Sequence, residues 1–166
     1  MRSFILGAVL TVIGLSPAYA GSPFPQISDP VVRAECSDCH MLYQPEMLTV
    51  EAWTAMISDL SNHFGEDATL PAETVKLVLN AHVAQAADVS THRQAKRFIK
   101  GADANKVPMR ILDTARFHDK HERVLPEVFK RKNVGNKSNC KGCHLKADKG
   151  DYDFIAENLM YQWVGK

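Results

Sequence analysis

The five-residue segment Cys36-Ser37-Asp38-Cys39-His40 recurs in form as Cys140-Lys141-Gly142-Cys143-His144, and the two copies hold all four cysteines of the 166-residue chain. No thiol is left for another role. Two Cys-x-x-Cys pairs could build a four-sulfur zinc site or two disulfides, and a single pair beside a strand-helix-strand pattern could be a thioredoxin-like redox centre. None of these needs a histidine directly after each pair. In Cys-x-x-Cys-His, the two thiols form thioethers to the vinyl groups of one haem and the adjacent imidazole binds its iron. The sequence therefore predicts two haem c groups, attached at Cys36 and Cys39 and at Cys140 and Cys143, with His40 and His144 as proximal ligands.

Haems of this type are attached outside the cytoplasm, and the N-terminus carries the matching address. Met1-Arg2 is a short positive region, Phe4 to Leu15 is nearly all apolar, and Ala18-Tyr19-Ala20 is an Ala-x-Ala cleavage site. Residues 1–20 read as a secretory signal peptide, since the apolar run is shorter than the ~20 residues that span a bilayer. Gly21 follows the site where a lipoprotein would need cysteine. The mature chain, Gly21 to Lys166, is expected in the periplasm as one domain with no membrane anchor. A chain of that length buries roughly 68% of its unfolded surface on folding.

The overall formal charge of +1 conceals a strong polarity. From Gly21 to His92 ten Asp and Glu face only Arg33 and Lys76, whereas from Arg93 to Lys166 seventeen Lys and Arg face nine Asp and Glu. Solvated faces and cations that neutralise haem propionates account for this pattern. So does steering of oppositely charged partners to the two ends. The basic stretch from Val89 to Arg110 carries a single aromatic residue, Phe98, among its cations, without the aromatic interleaving that nucleic-acid binding would use. The chain shows no catalytic triad and no phosphate loop.

Taken in order, Val31 to His40 can form a short helix, and Tyr43-Gln44-Pro45 breaks it. Val50, Trp53, Met56, Ile57, Leu60 and Phe64 recur at helical spacing, with Thr49 as N-cap and Gly65 as terminator. His63 falls on the same apolar stripe and is the candidate distal ligand of the first haem. A further helix from Pro71 to Ala86 carries His82 on its apolar stripe, a direct rival. Ile111 to Val124 forms another helix, with His118 and His121 on one face. No histidine follows His144, so a histidine distal to the second haem must come from upstream, as His121 or His118. Met109 and Met160 are the methionine alternatives, and they would raise the potential. Phe154, Ile155, Leu159, Met160, Trp163 and Val164 predict a terminal helix.

Four segments carry a resemblance: Cys36 to Pro45, Asp59 to Glu66, Arg110 to Thr114 with His121, and Asn139 to Asp153. Together they resemble the periplasmic dihaem cytochrome c family of purple phototrophs and other proteobacteria. The resemblance departs from the family pattern at Ala115-Arg116, where Pro and an aromatic residue are expected. It implies a mainly α fold, a small helical cytochrome c with two covalently attached haems and irregular connecting loops. It also implies bis-histidine ligation, by His40 and His63 at haem 1 and by His144 and His121 at haem 2. The implied function is electron transfer without bond-making chemistry. By resemblance the donor is a membrane b-type cytochrome and the acceptor a small monohaem cytochrome c.

Two alternatives remain. A haem enzyme or gas-binding protein with one open iron would require His63, or both His118 and His121, not to be ligands. A dihaem subunit of a periplasmic reductase fits poorly with motifs that begin 104 residues apart.

Overall fold

The computed structural model describes residues 22–101 and 107–155. The expected signal peptide lies outside the described residues. So does most of the expected terminal helix, including Met160.

Helix α1 (Pro30–Glu35) begins where Asp29 accepts the N–H groups of Val31 and Val32 at 2.9 and 3.1 Å and Pro30 supplies a pre-set first turn. It ends sooner than its sequence pattern predicts. The Ser37 N–H reaches back to the Ala34 carbonyl at 3.1 Å, a tightened last turn, and Cys36 to His40 continue as turns and bends. The first attachment motif is thus a loop braced by a helix.

Helix α2 (Val50–Ser58) is capped by Thr49, whose hydroxyl accepts the Ala52 N–H at 3.2 Å. It also stops short of its apolar pattern. The Ser58 hydroxyl donates to the Thr54 carbonyl at 2.6 Å, and Asp59 leaves helical geometry at φ −131° before a 3₁₀ turn over Leu60–Asn62. Helix α3 (Ala72–Val83) follows Pro71 and packs against α2. Ile27, Val32, Leu48, Ala52, Trp53, Ile57, Val78 and Ala86 form the main core between these helices and α1. Trp53 is its largest member, worth on the order of 3 kcal/mol by burial, and its indole N–H donates to the Pro45 carbonyl at 2.8 Å.

The basic half is built from short pieces. The stretch from Val89 to Arg110 holds only helix α4 (Lys96–Ile99) among its described residues. The expected helix from Ile111 to Val124 divides into a 3₁₀ turn, Ile111–Asp113, and helix α5 (Ala115–His121). The Thr114 hydroxyl makes the break, donating to the Ile111 carbonyl at 2.7 Å and accepting the Phe117 N–H at 3.2 Å. Ala115 serves as a first helical residue, so the departure at Ala115-Arg116 leaves the helix entry intact. Helix α6 (Pro126–Phe129) and a 3₁₀ turn over Cys140–Gly142 lead to strand β1 (His144–Lys146). Strand β2 (Asp151–Ile155) pairs antiparallel to it, His144 opposite Ile155 and Lys146 opposite Asp151. The terminal helix expected from Phe154 therefore does not begin there, because Phe154 and Ile155 belong to this hairpin. The apolar cluster here is small, with Val124, Val128 and Phe129 packed against Cys143.

The segment after the first motif crosses from one half to the other. The Tyr43 hydroxyl donates to the Ser138 carbonyl at 2.7 Å, the Gln44 side-chain amide donates to the Ala147 carbonyl at 3.0 Å, and the Tyr152 hydroxyl donates to Gln44 Oε1 at 2.6 Å. Leu48, at the end of this segment, belongs to the main core. The hairpin turn also ties down the N-terminal lead-in, where the Phe24 N–H donates to the Gly150 carbonyl at 3.0 Å. Gly150 sits at φ +74°, and a Cβ there would lie 2.5 Å from the Phe24 carbonyl oxygen. Gly150→Ala should therefore destabilise the protein by about 2–4 kcal/mol, the sum of left-handed strain and a backbone clash, measured as a lower midpoint in chemical denaturation.

Candidate functional site

Each attachment motif faces one further imidazole. The ring centres of His40 and His63 are 6.1 Å apart, and those of His144 and His121 are also 6.1 Å apart. Two imidazoles on opposite sides of one metal, with metal–nitrogen bonds of ~2.0–2.1 Å and each nitrogen roughly 1.1 Å from its ring centre, would be separated by roughly 6.3 Å. Both pairs therefore fit a single iron between them. Burial lowers the pKa of His63, His121 and His144, favouring the neutral imidazole that a metal requires.

The elements deliver these rings in different ways. His121 ends α5, and its Nδ1 lies 2.8 Å from the Phe117 carbonyl one turn back. His144 opens β1, with Nδ1 2.7 Å from the Tyr152 carbonyl on the paired strand. His40 has Nδ1 2.8 Å from the Met41 carbonyl. A carbonyl only accepts, so in each of these rings Nδ1 carries the proton and Nε2 keeps a free lone pair. His63 is brought opposite His40 by a turn rather than by the helix stripe, with Phe64 at φ +57° and Gly65 at φ +102°.

The rival histidines lie elsewhere. His82 is only 3% exposed, its ring centre is 4.4 Å from that of Trp53, and its Nδ1 lies 2.7 Å from the Val78 carbonyl. It is a core residue of α3. His118 is exposed and takes no part in the cavity that His121 lines. Met109, considered above for the second haem, lies with His63 instead.

Between His121 and His144 is a cavity of about 410 Å³ that also takes in Cys140 and Cys143. Phe24, Phe98, Phe117, Phe129, Val124 and Val134 give it an apolar wall, and Arg116, Lys120 and Lys137 supply cations. That combination suits a flat apolar macrocycle bearing carboxylates. A thiolate site suits it poorly. Burial pushes the Cys36 and Cys140 thiols up to about 11, opposite to a redox-active pair, and among the described residues no cluster of three or more His, Cys, Asp or Glu could hold a metal ion.

The sequence alone did not single out Tyr152 or Gln44, which link the two sites. Tyr152 lies in the polar hairpin that follows the second motif, and Gln44 in the short segment that follows the first.

Comparison with known proteins agrees with this geometry. The pattern of the dihaem cytochrome c family matches residues 32–152. A diheme cytochrome c from Rhodobacter sphaeroides is 36% identical, with a TM-score of 0.69, over 79% of this chain and 100% of that one. A second structure, DHC purified from Rhodobacter sphaeroides, is 35% identical with a TM-score of 0.61, over 76% and 98%. The diheme cytochrome from Shewanella baltica OS155 is 29% identical with a TM-score of 0.61, over 75% and 86%. No curated protein matches the chain.

The two imidazole pairs differ in one respect that is open to measurement. The rings of His40 and His63 are 26° from parallel, whereas those of His121 and His144 cross at 83°. Parallel rings donate π density to the same iron d orbital and split the pair, and crossed rings leave the two nearly degenerate. Low-temperature electron paramagnetic resonance of the oxidised protein should show one rhombic low-spin signal and one strongly anisotropic signal at larger g. Two identical rhombic signals would contradict the difference in ring angle.

Proposed function

Because the chain belongs to the dihaem cytochrome c family, with its two covalently bound haem c groups and a haem-based electron-transfer role, we propose that it relays single electrons between a donor and an acceptor in the periplasm. The observation that carries this reading is the pair of imidazole couples, each spaced for one iron. Cys36 and Cys39 hold haem 1, and Cys140 and Cys143 hold haem 2. His40 and His63 bind iron at the first site, and His144 and His121 bind it at the second. With His63 and His121 opposite the motif histidines, a haem held at either site would have no iron position standing open to a substrate, which supports a carrier rather than an enzyme. Bound there, the haems supply a one-electron ferric–ferrous cycle.

The rest of the work falls to the polypeptide. The carbonyls of Met41, Phe117 and Tyr152 fix three of the rings in one tautomer and make their Nε2 atoms more basic, which favours the ferric state and a low potential. The aromatic wall would give a macrocycle at the second site apolar surface to pack against. Arg116, Lys120 and Lys137 line the same cavity, where they would neutralise propionates and offset part of that lowering. The crossing segment from Tyr43 to Leu48 holds the two sites in one frame.

The leader at residues 1–20 supports export. Among the described residues no helix is long and apolar enough to cross a membrane. The family resemblance makes a membrane b-type cytochrome the expected donor and a small monohaem cytochrome c the expected acceptor.

A spectroelectrochemical titration tests the proposal. Two reversible one-electron steps, both at potentials below those of His/Met cytochromes and without a change of spin state, are expected. His121→Met should raise one step and leave the other in place. A two-electron wave, or a high-spin haem in the untreated oxidised protein, would contradict it.

A further inference from the structure

His63 is held unlike the other three axial imidazoles. Its Nδ1 is buried and meets no hydrogen-bond partner among the described residues, whereas those of His40, His121 and His144 each meet a carbonyl. Loss of such an outer partner typically weakens metal binding by about 10–100-fold. His63 also lies outside any α-helix or strand. Its turn is closed by the His63 N–H to the Glu66 carbonyl at 2.8 Å and by the Glu66 N–H to the His63 carbonyl at 3.2 Å. Phe64, the next residue, occupies the left-handed region at φ +57°, a costly conformation for a bulky side chain. Phe64 is 46% exposed, and the Arg110 guanidinium lies 4.7 Å from its ring centre. This contact clamps the turn from outside. Beside His63, a cavity of about 110 Å³ is lined by Met56, Asn62, Phe64 and Met109 among others, with no residue of the first attachment motif.

We propose that haem 1 is a binding site for an uncharged diatomic ligand of the carbon monoxide class, and that the ligand enters by displacing His63. The proposal rests on the two-haem, bis-histidine reading above. His63 gives up its bond to ferrous iron, the incoming carbon forms a bond in its place, and the imidazole leaves neutral. No electron or proton moves. The unanchored ring, the strained turn and the adjacent space all favour release at this site. At haem 2, His121 is fixed within α5 by the Phe117 carbonyl and stays bound.

The test uses the full dihaem protein, reduced and mixed with carbon monoxide in a stopped-flow spectrometer. One carbon monoxide per protein is expected, binding at a rate that levels off at high concentration because departure of His63 is limiting. His63→Gly should bind one carbon monoxide per protein with no such ceiling. Arg110→Ala should raise the ceiling about twofold to fivefold, the size of an exposed cation–π contact.

The proposal is overturned if the unaltered protein binds no carbon monoxide or two, or if His63→Gly binds two, which would place the site at haem 2. Should His63→Gly fail to load haem, an unchanged ceiling in Arg110→Ala overturns it. Failure of the underlying reading is seen separately, as a high-spin signal in the oxidised sample before any carbon monoxide is added.

Discussion

The fold depends on holding two imidazoles face to face across a gap of one metal atom, twice, in a chain whose own core is unevenly distributed. The acidic half has an ordinary apolar centre between α1, α2 and α3, with Trp53 and Val32 fully enclosed. Among the described residues the basic half has a small buried cluster of Val124, Val128 and Phe129, with Val134 and Ala147 buried apart from it, and its elements surround a cavity. Domains with so little buried surface need a cofactor, a metal or cross-links to be stable. In this half a haem held by Cys140 and Cys143 would fill the core, and with His144 and His121 as its ligands it would join the segment after α6, the hairpin and α5 at a single point.

The same constraint explains why the halves are tied together by polar contacts. Gln44 is buried, yet its amide and carbonyl are both satisfied, by Ala147 and by Tyr152. Tyr43 reaches Ser138 from the same segment. Buried hydrogen bonds of this kind add little net stability, about 1 kcal/mol each, but leaving one partner unpaired costs more, so they specify a single arrangement. Glu46, on the same segment, is also fully buried, and burial raises its pKa, favouring the neutral acid. The charge polarity of the sequence thus maps onto two differently built halves, joined by this crossing segment, by Phe24 on the hairpin turn and by Val107, Met109 and Ile111 packed against the main core.

Much of the site was legible in the chain. The two Cys-x-x-Cys-His motifs, the cap at Thr49 and the start of α3 after Pro71 follow from local chemistry. The pairing of His63 with His40 was anticipated through a helix that in fact ends at Ser58, so the residue was identified on incomplete grounds. A single serine hydroxyl bonding back to Thr54, followed by a turn with Phe64 in the left-handed region, redirects the chain in a way that apolar spacing does not record. His82 shows the converse limit. Its place on an apolar stripe looks the same for a ligand and for a core residue, and only contact with Trp53 and the Val78 carbonyl distinguishes them. His118 and His121 share a helix face in projection but differ in exposure, because the side of α5 that meets the cavity carries Arg116, Phe117, Lys120 and His121 and leaves His118 outside it. The β1–β2 hairpin was not anticipated, since its strands are short and largely polar and its one strong cue is the glycine at position 150.

The account stands on four histidines closing two irons, and near-infrared magnetic circular dichroism of the oxidised protein tests that directly, because the energy of the charge-transfer band depends on the axial ligands. The account predicts bis-histidine bands with the intensity of two haems per chain and no other band. A His/Met band or a high-spin band carrying the intensity of one haem would contradict it.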